Sequence, residues 1–490
     1  MDTNFVMFRG GVRISFETDS VELATPNSTF TLRSLRGGVV AALRALQKPV
    51  AMSALLDPLD RGDRVQFAAF LGRAGHLVAR CVVVRGNELV RVEHTARDGD
   101  YRQQPPCPTD LVRLSKFAFS RSRSNLLVLE SPLAKCRMVL LHGAARTLVA
   151  TLGSAHTPAE LACEGFPVPD VVVLLGHLIG AGFVETATAG EKFPSDEDPE
   201  LRQWDFHDLL FHSRIRAGRY DDALGGVYPY IGDIDPQPAL KTVPVGPVVP
   251  LYRPDLDSVL GRDPTLTVAL EGRRSIRQYG SQPLTDQQIG EFLYRVGRTR
   301  VHYEGPADEM VSRPYPSGGS VFELELYLTV QRCSGLAPGI YYYDSVGHRL
   351  VLLNENAEDR TSMLTVASLA TVLEADPDVL ITITSRFQRV AWKYRGIAYA
   401  TTLRHTGVLY QTMYLVATAL GLAPCGLGIG NADLAARVLG LDYLIESSVG
   451  DFILGSRPSG ELETWQVADG WRGVNNPDWA AFSNSILRPA

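Results

Sequence analysis

The sequence predicts an α+β protein: a C-terminal domain with a central antiparallel or mixed sheet flanked by helices, preceded by two small modules of strands, helices and a closing hairpin. Three observations carry this. At 490 residues, and at about 150 residues per domain, the chain has room for roughly three cores. From 264 onward the apolar pattern switches repeatedly between the helical and the strand period. In the first half, two segments repeat one order of elements.

In the first copy, Val12 to Phe16 and Ser28 to Leu32 read as short strands and Gly37 to Leu46 as a helix. The run FAAFLGRAGHLVARCVVV reads as a helix that ends near Gly75 and passes into a β-branched strand. In the second copy VVVLLGHLIGAGFVET repeats that helix, glycine and strand ending. This is the order of winged-helix-like modules, expected over 1–110 and 111–190. Residues 191–263 change character. They open with an acidic stretch, and DIDPQPALKTVPVGPVVPLYRPD carries six prolines, which withhold donors that a helix interior or central strand needs. A linker or wrapping arm is expected there. His207 and His212 within it are five apart and share a helix face poorly, so no metal site is expected.

The last domain is expected over 264–490. Thr285 and Gln288 form a capping box, and Ile289, Phe292, Leu293 and Val296 follow at helical spacing. Phe322, Leu324, Leu326, Leu328 and Val330 alternate with Glu323, Glu325, Tyr327 and Thr329, the period of a strand with one face buried. Val379 to Thr384 and VGDFILGS are further strands, and 397–420 is a long apolar helix stopped by Gly421 and Pro424.

Apolar residues make up 45% and charged residues 21%, and 48 Lys plus Arg against 54 Asp plus Glu leave a net charge of −6. That argues against nucleic-acid binding through a strong overall positive field. The six cysteines include no CxxC pair, the N-terminus has no signal-peptide pattern, and no apolar run is long enough to span a bilayer. A cytoplasmic protein without a membrane partner is expected.

The chemistry concentrates at three places. Gly272-Arg273-Arg274-Ser275-Ile276-Arg277 sets three guanidinium groups and a hydroxyl within six residues, a donor set suited to a phosphate. Cys425-Gly426-Leu427-Gly428-Ile429-Gly430 allows the backbone to approach a flat ring closely. It follows a helix, unlike a dinucleotide fingerprint. Gly455-Ser456-Arg457-Pro458 ends the last strand.

In this order the pieces resemble the nitroreductase-like flavoprotein fold. With RPYPSGGSVFELELYLTV, GIYYYD and RVAWKYRGIAYATTLRHTGVLYQTMYLVATALGL, the chain is similar to its SagB/ThcOx-type branch, the azoline dehydrogenases of thiazole and oxazole peptide biosynthesis. The resemblance implies FMN as cofactor, with Arg273, Ser275, Arg277, Ser456 and Arg457 at its phosphate and ribityl chain. It implies Gly426 and Gly428 near the ring, Gln411 as a polar position on the central helix, and Pro316, Ser317 and Gly318 as a loop reaching the flavin across a homodimer interface. Lys393 and Tyr394 match the family's Lys-Tyr pair, the implied catalytic groups. The implied substrate is an azoline-containing precursor peptide, and a cyclodehydratase is the implied partner.

The pair also suits the chemistry. Aromatising an azoline removes a proton from one ring carbon and a hydride from its neighbour, so a base is needed beside the flavin. Free Tyr and Lys titrate near 10 and near 10.4, and desolvation lowers a lysine while a neighbouring ammonium lowers a phenol. Either can serve. Two other readings stand beside this one: a nicotinamide-driven nitro or flavin reductase, and a non-catalytic peptide-binding scaffold.

Overall fold

The computed structural model describes residues 4–18, 20–25, 28–188, 191–371, 376–459, 482 and 485–487. It divides into two compact units, Met1–Leu224 and Gly225–Ala490.

The first unit is organised by one antiparallel sheet of seven strands, in the spatial order Val50–Ala51, Asn4–Phe8, Val78–Val84, Asn87–His94, Cys136–Leu140, Leu126–Glu130, Phe119–Arg123. The two expected modules therefore share a sheet, joined where His94 stands opposite Cys136 and Val90 opposite Leu140. Each keeps its own core. One gathers Val39, Leu43, Phe67 and Phe70 from helices Gly37–Ala45 and Arg61–Ala74. The other gathers Leu148, Val171, Leu174 and Leu178 from helices Gly143–Thr151 and Val168–Gly180. Local periodicity reveals the cores but not the joint. An unpaired strand edge exposes a row of backbone donors and acceptors, and pairing the two hairpins satisfies them.

The expected arm, 191–263, is split between the units. Its first part forms helices Pro194–Glu197 and Phe206–Arg214 within the first unit, where His212 stacks on Trp204 with ring centroids 5.8 Å apart. Its second part belongs to the fold of the second unit. Val248–Pro250 adds an antiparallel edge strand against Arg349–Val351, and Leu256–Arg262 is a helix capped by Asp255. The prolines signalled the loss of regular structure; they could not signal that the carbonyls of an irregular chain would be used as acceptors.

The second unit has a seven-stranded antiparallel sheet ordered Val248–Pro250, Arg349–Asn354, Gly339–Asp344, Leu324–Val330, Val379–Arg386, Glu446–Ser456, Leu422–Leu427. Helix Asp286–Gly297 begins at the expected capping box, both halves of which form. The long helix Ala398–Ala419 packs Leu409, Met413 and Ala417 into the core shared with Leu324, Leu326 and Leu328.

One expectation is corrected. Leu324–Val330 is buried on both faces, because it lies in the middle of the sheet with Tyr327 in a second core on the far side, beside Met363 and Leu364. The polar half of its alternation faces protein. Glu325, 1% exposed, lies 3.2 Å from Arg386 and 3.7 Å from Arg313 and accepts from the Tyr342 hydroxyl at 3.2 Å.

Removing that carboxylate strands two buried guanidinium groups, so Glu325→Gln is expected to destabilise the fold by about 3–5 kcal/mol. Thr285→Ala at the capping box should cost about 1 kcal/mol. Urea unfolding of both variants reads the contrast.

Candidate active site

The sequence-predicted site residues gather into two groups served by the long helix Ala398–Ala419. The first lies where the chain leaves helix Leu266–Gly272, whose C-cap is Arg273. Past that cap the segment is stitched to the sheet edge. The Ile276 N–H donates to the Pro424 carbonyl at 2.8 Å, and the Gly280 N–H to the Ser456 carbonyl at 3.0 Å. Tyr414 of the long helix joins the pieces. Its hydroxyl accepts from the Gly426 N–H at 2.8 Å and shares a 2.7 Å hydrogen bond with the Ser275 hydroxyl. The Arg273 guanidinium lies over its ring, 5.2 Å from the centroid.

Asp378, fully buried, locks the same corner. Its carboxylate accepts from the Ser456 N–H at 3.0 Å and the Leu284 N–H at 3.2 Å, and pairs with Arg332 at 2.6 Å. A side chain at Gly455 would run into the Tyr279 ring, so strand and loop meet there as closely as glycine allows. Arg273, Ser275, Gly426, Ser456 and Arg457 are thus brought to one edge of the sheet, with Arg277 exposed on the same segment. Guanidinium and hydroxyl donors on one short stretch can hold a phosphate.

The second group centres on Pro316, Ser317 and Gly318. The Gly318 N–H donates to His405 Nε2 at 2.7 Å. Nε2 therefore carries a lone pair, and the ring proton sits on Nδ1, which faces Glu323 at 2.9 and 3.1 Å. Glu323 is fully buried, and the Ser317 hydroxyl accepts from the Phe322 N–H at 3.1 Å. Lys393 is 8% exposed; its ammonium donates to the Gly319 carbonyl at 2.9 Å and stands 5.5 Å from the centroid of the Tyr228 ring. Gly319 has φ +63, and a Cβ there would meet the Tyr394 hydroxyl and the end of Lys393. Tyr394 lies on a two-residue strand opposite Gly226, and the Tyr228 N–H donates to the Lys393 carbonyl at 3.1 Å.

His405 precedes Tyr414 by nine residues, which at 1.5 Å per residue separates the groups by about 13 Å along the helix. A cavity of about 350 Å³ opens beside the intervening stretch, lined by Leu403, Thr406 and Tyr410 together with Gly428, Ile429, Gly430 and Asp451. The glycine-rich run differs from expectation. Gly426 lies within edge strand Leu422–Leu427, paired with Phe452, and the open loop begins at Gly428. Helix Ala432–Leu439 follows, capped by Asn431. Gln411 is exposed on the long helix and makes no hydrogen bond among the described residues.

Three contributors were not singled out from sequence. Tyr414 gave no signal within an apolar helix. Glu323 read as the solvent side of an alternating strand, and Gly319 as a neighbour of the Pro-Ser-Gly run. Two arginines flanking the Lys-Tyr pair turn out to be internal. Arg386 and Arg389 are 6% and 2% exposed and donate to the carbonyls of Pro238, Ala239 and Gln237.

The sequence model of the nitroreductase family matches residues 270–455, a span that holds both groups except for Ser456 and Arg457. The model described as cyanobactin oxidase ThcOx matches residues 112–221. Over those two spans the chain is similar to nitroreductase-like oxidoreductases and to the ThcOx type of oxidase. A protein of Methanocaldococcus jannaschii described as a nitroreductase is 27% identical over 184 residues, 38% of this chain and 86% of that one. Among solved structures, a nitroreductase of Anabaena variabilis is 19% identical with a TM-score of 0.38, covering 57% of this chain and 54% of its own. The chain thus spans about half the length of that structure. The E. coli microcin synthetase McbBCD complex with truncated pro-MccB17 bound is 17% identical with a TM-score of 0.31, covering 42% of this chain and 98% of the matched one.

Asp451 is the carboxylate of the cavity wall. Burial pushes its carboxyl up from 3.8 to about 6, opposed by the hydrogen bond from Thr382, 2.8 Å long. A raised folded-state value means the folded chain holds the proton more tightly, so stability is lost as pH climbs from about 4 to about 6. Asp451→Asn is expected to gain about 2–3 kcal/mol on wild type above pH 6, with the gap closing towards pH 4. Urea midpoints at pH 4.5, 6 and 7.5 check this.

Proposed function

We propose that this oxidoreductase uses FMN to oxidise azoline rings of a ribosomally made precursor peptide to azoles. The observation that carries the reading is the placement of Lys393 and Tyr394 at Gly319, against the His405–Glu323 pair, in a nitroreductase-family fold. A reductase that only shuttles hydride from a nicotinamide has no use for a buried ammonium and a phenol at that loop.

The donor set fits the cofactor. Arg273, Arg277 and Arg457 supply charge for a phosphate and Ser275 and Ser456 supply hydroxyls, while the strand carrying Gly426 runs alongside. Bound by these residues, FMN would supply the acceptor for the hydride of the azoline ring, with O₂ as the final oxidant. The chain's own residues do the rest. Tyr414 and Asp378 fix the backbone that presents the phosphate donors. His405, with its proton on Nδ1, holds the Gly318 N–H and so fixes the loop that faces the Lys-Tyr pair. The ring proton passes to Lys393 Nζ or to Tyr394 Oη, whichever is deprotonated on encounter.

The separation of the two groups along one helix favours a homodimer, in which the Pro316–Gly318 loop of one copy completes the flavin site of the other. Tyr399, Leu403 and Ile429, apolar residues left exposed around the cavity, suit such an interface. The N-terminal unit, part of which matches the ThcOx model, holds the leader or core peptide, and a cyclodehydratase supplies the azolines. All six cysteines are free thiols, which suits the reducing cytoplasm.

Purified protein is expected to be yellow and to bleach on anaerobic mixing with an azoline-containing peptide. Lys393→Ala and Tyr394→Phe should keep the colour, and loss of the proton acceptor should slow bleaching by about 10²–10⁴-fold in at least one of them. Bleaching by a nicotinamide cofactor alone would replace this reading with a reductase, and a protein that neither carries nor takes up flavin would replace it with a scaffold.

A further inference from the structure

The first unit contains a second cavity, of about 430 Å³, remote in sequence from every residue assigned above. Its charged and titratable lining comprises Arg9, Arg97, His76, His94, Tyr220, Asp221 and Asp98, the last paired with Lys135. Arg9 is buried to 9% exposure, donates to the His94 carbonyl at 2.8 Å, and has an Nε without a hydrogen-bond partner. Arg97 is exposed at the wall and has no ion-pair partner among the described residues. Burial, reinforced by nearby arginines, holds both imidazoles below their usual range, and His94 is engaged in a hydrogen bond with the Gly99 backbone.

The chain itself shows what these groups receive. Asp221 stands at the cavity, paired with Arg9 and with Arg137 at 3.0 Å. Asp222 pairs with Arg123 at 2.5 Å, and the Tyr220 hydroxyl accepts from Arg121 and Arg123 at 3.0 and 2.9 Å. An irregular acidic stretch, Tyr220-Asp221-Asp222, is laid over arginines projected by the sheet strands Phe119–Arg123 and Cys136–Leu140. It occupies one side of the cavity and leaves Arg97, at the wall, without an ion-pair partner among the described residues.

We propose that this cavity is a carboxylate subsite for an acidic side chain of the peptide substrate, and that Tyr220-Asp221-Asp222 is a resident stand-in sharing Arg9 with it. The inference rests on the reading that the protein acts on a peptide, and adds the chemistry by which the N-terminal unit recognises one. A carboxylate placed between Arg97 and Arg9 gains charge-assisted hydrogen bonds that an amide of the same shape does not. Part of Arg9 is already committed to Asp221, so the incoming group completes the coordination of a guanidinium that is only partly used.

The test uses the full chain and a fluorescein-labelled, end-capped hexapeptide with three consecutive Asp residues, free of any azoline, read by anisotropy. A counterpart carries Asn at the three positions. The Asp peptide is expected to bind at least about tenfold more tightly, with the difference shrinking as salt is raised. Arg97→Ala should remove most of that preference, since its side chain is exposed and its loss leaves the fold intact. Asp221→Asn should tighten binding several-fold by releasing Arg9. Equal binding of the two peptides, or an unchanged preference in Arg97→Ala, overturns the proposal. Displacement of the peptide by free succinate at equal concentration overturns the peptide as its source, in favour of a small dicarboxylate. Bleaching by an azoline peptide with no preference for Asp would sink this inference alone. A clear preference in a protein that never bleaches would sink only the activity.

Discussion

The carboxylate of Glu325, in the middle of the sheet of the second unit, is the constraint on which that unit depends. A charge at 1% exposure persists only with partners, and its partners are Arg313 and Arg386. Arg386 then spends its remaining donors on the carbonyls of Pro238 and Ala239. Arg389, paired with Asp308 at 3.2 Å, does the same at Gln237. These bonds hold a proline-rich, irregular segment against the sheet. A few residues upstream, the same segment pairs Gly226 with Tyr394 and donates from Tyr228 to Lys393. The position of the Lys-Tyr pair is therefore set by ion pairs buried under it as much as by its own strand.

Much of this architecture was legible in the sequence because it follows from local rules. The capping box at Thr285 and Gln288 marks a helix start whatever surrounds it, and the apolar stretch over 397–420 is long enough to exclude a strand. The guanidinium and hydroxyl run around Ser275 stood out because its residues are adjacent, whereas the Lys-Tyr pair was marked only by the family resemblance. What was not legible depends on partners distant in sequence. Glu323 and Glu325 look like the wet side of a strand until Arg313, Arg386 and His405 arrive from elsewhere. The arm looks like a linker until its carbonyls become acceptors. Tyr414 looks like one more aromatic in a core helix, and only the approach of Ser275 and Gly426 turns its hydroxyl into a junction.

The long helix has two roles that pull its composition in different directions. Leu409, Met413 and Ala417 anchor it in the core, while His405, Tyr410 and Tyr414 turn polar atoms to Gly318, to the strand residues Asp451 and Gly426, and to Ser275. The Tyr410 hydroxyl accepts from the Asp451 N–H at 2.8 Å and donates to the Asp451 carbonyl at 3.0 Å, so the cavity wall is braced from the helix. A rigid element is suited to this work. The precision needed at a reacting centre is a fraction of an ångström, and loops alone do not supply it.

The continuous sheet of the first unit also determines how this chain can be divided. Cutting near residue 110, where the two modules seem to part, would strip Asn87–His94 of its neighbour Cys136–Leu140 and leave a long, β-branched edge open to any other strand. Such a fragment would be a seed for intermolecular pairing rather than a small soluble domain. The junction between Leu224 and Gly225 cuts no sheet. Recombination of either unit with other modules has its natural seam there.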